Sequence, residues 1–125
     1  MNVVDSSAWL EYFAAGPQAG RFAVAIEAPE DLLVPTIVLL EVTRRVMQQR
    51  GEDAALQVAA LLHQGQIVAL DSGLALAAAK LGLEHGLPLA DSIIFATAQR
   101  FDATLWTMDA DFDGLPNVRY FAKGK

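Results

Sequence analysis

The sequence predicts an α/β fold of three layers, with helices on both sides of a mainly parallel sheet. Short apolar runs alternate with longer stretches whose apolar residues recur at helical spacing. Small polar or acidic residues follow several of these runs, and no repeat, linker or low-complexity tract interrupts the alternation. This order is typical of parallel strands joined by helices. At 125 residues, we expect a single domain over residues 1–125.

The predicted strands are short runs rich in Val, Leu and Ile, bounded by Pro, Gly, Asp or Ser. They cover residues 1–4, 32–34, 66–70, 103–107 and 117–121, the last as an edge strand. The first run stops at Asp5, and Asp109 follows shortly after the fourth. Because ligands of open α/β sheets gather beyond the carboxyl ends of the strands, both acids are candidate site residues.

The predicted helices lie between these strands and carry recognisable start and stop signals. They cover residues 7–14, 18–27, 37–50, 52–63 and 74–84, and a sixth begins at Pro88. We expect Thr36 to cap the third helix and Asp71 to cap the fifth, since short hydroxyl and carboxylate side chains are favoured at that position. Pro88 is expected at the first position of the sixth helix, and Gly51 should end the third.

Composition excludes several kinds of protein. With 54% hydrophobic residues, the chain is not disordered, and without cysteine it has no disulfide framework, thiolate zinc site or cysteine nucleophile. The formal charge of −6 argues against a broad basic surface that grips nucleic acid, although a nucleic-acid substrate remains compatible with it. No apolar run has bilayer length and no basic signal-like segment opens the chain, so we expect a cytoplasmic protein with no membrane partner.

Four acids are predicted to meet at one edge of the sheet. Asp5 and Asp109 follow buried strands, while Glu41 and Asp91 lie early in helices that lead away from the same edge. Crowded carboxylates repel one another unless a cation offsets their charge, and Mg²⁺ or Mn²⁺ is a hard cation suited to oxygen ligands. Such a cation can activate water for phosphodiester hydrolysis. This chemistry needs the four acids and no stronger nucleophile.

Each acid also has a structural explanation when taken alone. Asp5 could simply cap the helix that follows, and the helix dipole favours an acid at Asp91. Glu41 has an arginine at both the three- and the four-residue spacing, Arg44 and Arg45, which suits an ion pair. The hydroxyls of Ser6 and Thr107 could orient a water or a phosphate, or could equally make capping and strand-end hydrogen bonds.

Four segments in this order resemble the PIN-domain family, specifically VapC-type toxins of bacterial toxin–antitoxin pairs. They are Val4-Asp5-Ser6-Ser7, Glu41 in a helix after a Val-Pro strand end, Leu89-Ala90-Asp91-Ser92-Ile93-Ile94, and Leu105-Trp106-Thr107-Met108-Asp109-Ala110-Asp111-Phe112. The resemblance implies a ribonuclease that depends on Mg²⁺ (or Mn²⁺) and is held inactive by a VapB-like antitoxin. It also implies a homodimer, with an antitoxin groove near Trp9, Tyr12, Phe13 and Phe22.

The resemblance also implies roles for particular residues. Asp5, Glu41, Asp91 and Asp109 would be the catalytic acids, with Asp5, Asp91 and Asp109 as metal ligands. Asp111 matches an additional acid of the family's last motif, Thr107 matches that motif's hydroxyl, and Ser6 is a further accessory candidate. For RNA capture, the resemblance points to no residues, so the candidates are exposed cations: Arg21, Arg44, Arg45, Arg50, Lys80 and Arg100.

Two other functions fit parts of the pattern. A receiver-like phosphoacceptor domain also places an acidic cluster and Mg²⁺ on an α/β fold, but it needs paired acids after the first strand and a lysine after a late one. Asp5 is unpaired, and no lysine follows the late strands before the tail. A PIN-fold interaction module without catalytic activity is the second alternative, and RNA cleavage distinguishes it from a nuclease.

Overall fold

The computed structural model describes residues 1–124, which form a five-stranded, all-parallel sheet with strand order β3-β2-β1-β4-β5. The strands are β1 Asn2–Val4, β2 Leu32–Pro35, β3 Gln66–Val68, β4 Thr104–Thr107 and β5 Val118–Tyr120. The helices are α1 Ser6–Phe13, α2 Ala19–Ile26, α3 Thr36–Arg50, α4 Glu52–Leu62, α5 Ser72–His85 and α6 Leu89–Arg100. Short 3₁₀ turns cover Pro29–Asp31 and Ala110–Phe112. The predicted three-layer α/β/α class is confirmed.

The sheet is covered on both faces, which explains why its strands are continuous apolar runs. Val3 and Val4 point to opposite faces of the central strand β1, and neither is exposed to solvent. Val3 pairs with Leu33 of β2 on one side and with Leu105 of β4 on the other. Because all three strands run in the same direction, their carboxyl ends meet at one edge.

The helices close the core around this sheet. Helices α1 and α2 contact the strands at the centre of the sheet, and α6 packs across β1, β2 and β4. Residues 92–98 of α6 are all buried, and α5 in turn packs on α6. Helix α3 extends from the end of β2 and pairs with α4. In residues 1–124, every helix is too short or too polar to cross a bilayer.

Most sequence-based boundaries shift by one or two residues in the structure, and three of these differences have a physical reason. The prediction that Thr36 caps α3 is wrong, because Pro35 holds the capping position with extended backbone and Thr36 is the first helical residue. Pro88 likewise precedes α6 instead of starting it. Proline's fixed φ suits both an extended residue just before a helix and the first residue of the helix. The φ preference alone therefore does not decide which of these positions a proline takes. Strand β3 ends at Val68, two residues earlier than predicted, because exposed residues lead from there to the Asp71 cap of α5.

Candidate active site

Asp5 links the central strand to the first helix and is almost completely buried. It follows β1, caps α1 and is 2% exposed. Its Oδ1 accepts hydrogen bonds from Ser7 Oγ at 2.8 Å and from the Ala8 backbone N–H at 3.0 Å, and its Oδ2 accepts one from Thr107 Oγ1 at 2.7 Å. Burial raises the pKa of Asp5 to about 6, although these hydrogen bonds partly oppose the rise.

Thr107 connects Asp5 to the turn that carries the next acid. Its hydroxyl donates to Asp5 and accepts the backbone N–H of Asp109 at 2.8 Å. Asp109 then caps the Ala110–Phe112 turn, because its Oδ1 accepts the backbone N–H of Asp111 at 2.9 Å. This tight turn brings the carboxylate of Asp111 back beside that of Asp109.

Three carboxylates converge next to Asp5. Asp91, Asp109 and Asp111 each offer an oxygen, and these oxygens all lie within 4.8 Å of one another. Carboxylate side chains this close together could turn to share one cation. A set of oxygen ligands without nitrogen or sulfur suits Mg²⁺ or Mn²⁺ better than zinc. The residues present therefore fit a hard divalent cation.

The charges of this group are poorly compensated within the chain. Burial raises the pKa of Asp91 to about 7, and the rise is reinforced by the charge and close carboxyl contact of Asp109 and by the charges of Asp5 and Asp111. Among residues 1–124, no N–H or hydroxyl group donates a hydrogen bond to the Asp91 side chain. The described residues therefore supply little positive charge to offset these carboxylates.

Glu41 lies at the side of this group, where Ser6 holds it. Ser6 Oγ donates to Glu41 Oε1 at 2.7 Å, which fixes the carboxylate against the start of α1. No ion pair joins Glu41 to Arg44 or Arg45 in the described part of the chain, so Ser6 is its partner instead. Glu41 is partly buried and is not one of the three converging carboxylates.

The geometry sorts the predicted residues into two sets. Asp91, Asp109 and Asp111 bring one oxygen each close together, whereas Asp5 accepts three hydrogen bonds, from Ser7, Ala8 and Thr107. A carboxylate has roughly four acceptor positions, so the predicted role of Asp5 as a ligand stays a prediction. The sequence left the role of Asp111 open because that role depends on the 3₁₀ turn. The spacing Asp109-Ala110-Asp111 before a fully buried Phe112 is the signal that could have indicated it.

The aromatic residues that the resemblance assigns to a partner groove differ in how far each is exposed. Phe22 is completely buried and its ring packs edge-on against Phe121, at 5.7 Å between centroids. Trp9 is 1% exposed and stacks on Phe13. Tyr12 and Phe13 are partly buried and remain accessible. Phe22 is therefore a core residue, and only the rims of the other rings can contact a partner.

Comparison with known proteins agrees with this fold. The PIN domain matches residues 3–117, so the chain belongs to the PIN-domain family. The structure of a toxin–antitoxin complex from Klebsiella pneumoniae is similar, with a TM-score of 0.83 and 23% identity over 98% of this chain and 99% of that one. A comparison with curated protein sequences finds no match.

Two further solved structures share the fold. A sarcin-ricin-loop-cleaving VapC toxin of Mycobacterium tuberculosis has a TM-score of 0.76 and 21% identity over 95% of this chain and 99% of that one. A VapBC complex of Rickettsia felis, bound to a DNA fragment from its promoter, has a TM-score of 0.73 and 16% identity over 97% of each chain. At these identities the likeness concerns the fold. The family match and the sheet order leave the receiver-like alternative without support.

Proposed function

We propose that this chain is a VapC-type toxin, a cytoplasmic endoribonuclease that depends on Mg²⁺ (or Mn²⁺) and is neutralised by a VapB-like antitoxin. The observation that carries the proposal is the convergence of Asp91, Asp109 and Asp111 at the carboxyl edge of the sheet, next to the buried Asp5. An uncompensated set of carboxylates attracts a divalent cation, and a phosphodiester is a substrate that such a cation binds and polarises.

The three converging carboxylates would hold the cation, which supplies an activated water and stabilises charge on the phosphate oxygens. Asp5 acts from behind them, because its negative charge strengthens the attraction of the pocket for a cation while its own oxygens stay hydrogen-bonded. Thr107 holds Asp5 next to the Asp109 turn through the two hydrogen bonds of its hydroxyl.

Glu41 is the remaining carboxylate with access to the site and is the candidate for accepting a proton from the attacking water. Its Oε1 is held by Ser6, and its Oε2 accepts no hydrogen bond from the described residues, so that oxygen would be the one to accept the proton. This division of roles gives Ser6 a positioning function, with no contact to the reacting atoms. No serine or histidine nucleophile is required.

The solved relatives support an antitoxin partner for this chain. Three of the structures that share its fold are complexes with antitoxins, from Klebsiella pneumoniae, Rickettsia felis and Salmonella typhimurium. An arginine of the antitoxin would pair well with the acidic site, since a guanidinium group matches carboxylates in charge and geometry. RNA cleavage should therefore stop when the antitoxin is bound.

A homodimer would use exposed leucines of α5 and α6. Leu76 and Leu83 of α5 lie two helical turns apart and are 74% and 87% exposed, and Leu89 at the start of α6 is 83% exposed. The proposal is that these leucines form one apolar patch, since contiguous apolar patches mark interaction sites. We expect a dimer by light scattering, and Leu83→Glu should convert it to a monomer without loss of the fold.

RNA cleavage with defined metal tests the proposal directly. Wild-type protein should cleave total cellular RNA with Mg²⁺ or Mn²⁺ and stop when EDTA is added. Asp109→Asn should be inactive, whereas Asp113→Asn, an exposed acid of the same loop outside the converging group, should retain activity. If wild-type protein cleaves no RNA with either Mg²⁺ or Mn²⁺, the chain is the catalytically silent interaction module instead.

A further inference from the structure

A groove next to the acidic site differs from the rest of the surface in its charge. It has a volume of about 460 Å³ and lies between α1, α3 and α4, and its lining includes Ser7, Met108, Arg45, Arg50 and Lys123. Three of the nine basic residues of a chain with net charge −6 therefore line one groove. A concentration of cations on an otherwise acidic protein indicates an anionic ligand.

These cations are not used elsewhere in the described part of the chain. Arg100 lies 3.1 Å from Asp71 and Lys80 lies 4.0 Å from Glu84, which places the ion pairs of residues 1–124 on α5 and α6. Arg45, Arg50 and Lys123 form no ion pair there, and all three are exposed. The groove also contains Glu11, whose Oε2 accepts the backbone N–H of Gln18 at 2.8 Å.

The groove adjoins the acidic site through two of its lining residues. Ser7 lines it and donates a hydrogen bond to Asp5, and Met108 lines it between Thr107 and Asp109. Its lining is partly apolar and includes the edge of the Phe13 ring, which is partly buried and can contact a nucleobase. A nucleic acid is a negatively charged chain with aromatic bases. It could therefore extend from a metal site into this basic groove and place a base against an aromatic side chain.

We propose that this groove binds the single-stranded RNA beside the cleaved bond, with phosphates at Arg45, Arg50 and Lys123 and a base against the edge of Phe13. The inference rests on the RNA nuclease proposed above and adds the residues that hold its substrate. An acidic peptide would also suit the cations, but it gives no reason for the groove to adjoin the carboxylate group. The adjacency favours RNA.

RNA binding measured without cleavage tests this subsite. Fluorescence anisotropy of labelled oligoadenylate would be followed with Asp109→Asn protein in Mg²⁺, so that the RNA stays intact. Adding Arg45→Glu or Arg50→Glu should weaken binding about tenfold each, and each should lower the slope of log affinity against log salt by about 0.7. Arg44→Glu is the matched control, since Arg44 is exposed on the same helix outside the groove, and it should change affinity less than about twofold.

Several outcomes would overturn the proposal. Unchanged RNA affinity in the Arg45→Glu/Arg50→Glu variant would do so, and so would an equal loss in Arg44→Glu. Loss of antitoxin binding with RNA binding intact would make the groove a protein site. Thermal denaturation of each variant checks that it is folded. The Arg45→Gln/Arg50→Gln variant repeats the binding test by removing the two charges without reversing them.

The same variants separate this proposal from the nuclease itself. If the protein binds RNA through the groove but never cleaves it, the subsite stands and the nuclease proposal fails. If metal-dependent cleavage has the same KM in wild-type protein and in the Arg45→Glu/Arg50→Glu variant, the nuclease stands and the subsite fails.

Discussion

Asp5 and the group of Asp91, Asp109 and Asp111 are neighbouring acidic regions with opposite environments. Asp5 is 2% exposed and its oxygens accept three hydrogen bonds from its own chain. The group of three is partly open to solvent, and the hydrogen bond from Asp111 N–H to Asp109 is its internal support. Asp5 is held by the fold, whereas the described residues offer little positive charge to the group of three.

The pKa values of the two regions express the same difference. Burial raises the pKa of Asp5 to about 6, but hydrogen bonds from Thr107, Ala8 and Ser7 work against that rise. For Asp91, burial and the three neighbouring acids all raise the pKa, to about 7. Substitutions in the two regions should therefore affect activity and stability in different proportions.

The largest effect is expected from Asp91→Asn. Removing this carboxylate deletes an oxygen ligand from the group of three, so we predict RNA cleavage to fall by at least about 10³-fold in kcat. The free energy of unfolding without metal should stay the same or rise, because one of the repelling charges is gone. Cleavage kinetics and urea unfolding measure both quantities. Retention of more than about a tenth of the activity would show that Asp91 is not a ligand.

Asp5→Ala is expected to lower stability, in contrast to Asp91→Asn. The substitution removes the cap of α1 and leaves the buried hydroxyl of Thr107 without its acceptor. At pH 5, where the Asp5 carboxyl with its pKa of about 6 is mostly protonated and carries little charge, we predict a loss of about 1–2 kcal/mol in the free energy of unfolding. From the sequence alone, we would expect relief of repulsion to preserve or raise stability at both acids. If urea unfolding shows equal stability for Asp5→Ala and wild-type protein, the structural role of Asp5 is wrong.

The pH dependence of stability should reverse when metal is added. Both pKa values lie above the ordinary 3.8, so the folded protein binds more protons than the unfolded chain between about pH 4 and pH 7. Without metal, stability should therefore fall as pH rises through that range. The buried Asp5 contributes on the order of 2 kcal/mol, and the half-buried Asp91 less because solvent screens it.

With millimolar Mn²⁺, we expect stability at pH 8 to exceed that at pH 5, because the cation binds the deprotonated carboxylates. Thermal denaturation at both pH values, with Mn²⁺ and with EDTA, gives the comparison, and Asp91→Asn serves as the control with a weaker response. An identical pH profile with and without Mn²⁺ would argue that no cation binds between the carboxylates.

The smallest effect is expected from Ser6→Ala. Loss of the 2.7 Å hydrogen bond to Glu41 releases that carboxylate without removing it, which should reduce kcat about 2- to 10-fold and leave KM unchanged. Ser6→Thr keeps the hydroxyl and should restore activity. A loss as large as that of Asp91→Asn would instead place Ser6 among the groups that touch the substrate.

The sequence was sufficient for the fold and for much of the site because strand ends are easily recognised. A buried run that stops at Asp5 and another that ends at Thr107 put both residues at one edge as soon as the strands are parallel. The role of Asp111 was not decidable, since it depends on a 3₁₀ turn with little sequence signal. The basic groove was also out of reach, because exposure alone does not distinguish Arg45 from Arg44.

Calorimetric titration of Mn²⁺ into wild-type and Asp109→Asn protein tests the central claim most directly. At pH 6.5, binding to the wild type should release protons from Asp91, so the measured enthalpy should depend on the ionisation enthalpy of the buffer, and this dependence should fade at pH 8. Asp109→Asn should bind at least about tenfold more weakly. Equal Mn²⁺ affinity in both proteins, or no binding to the wild type, would contradict a metal site at these carboxylates.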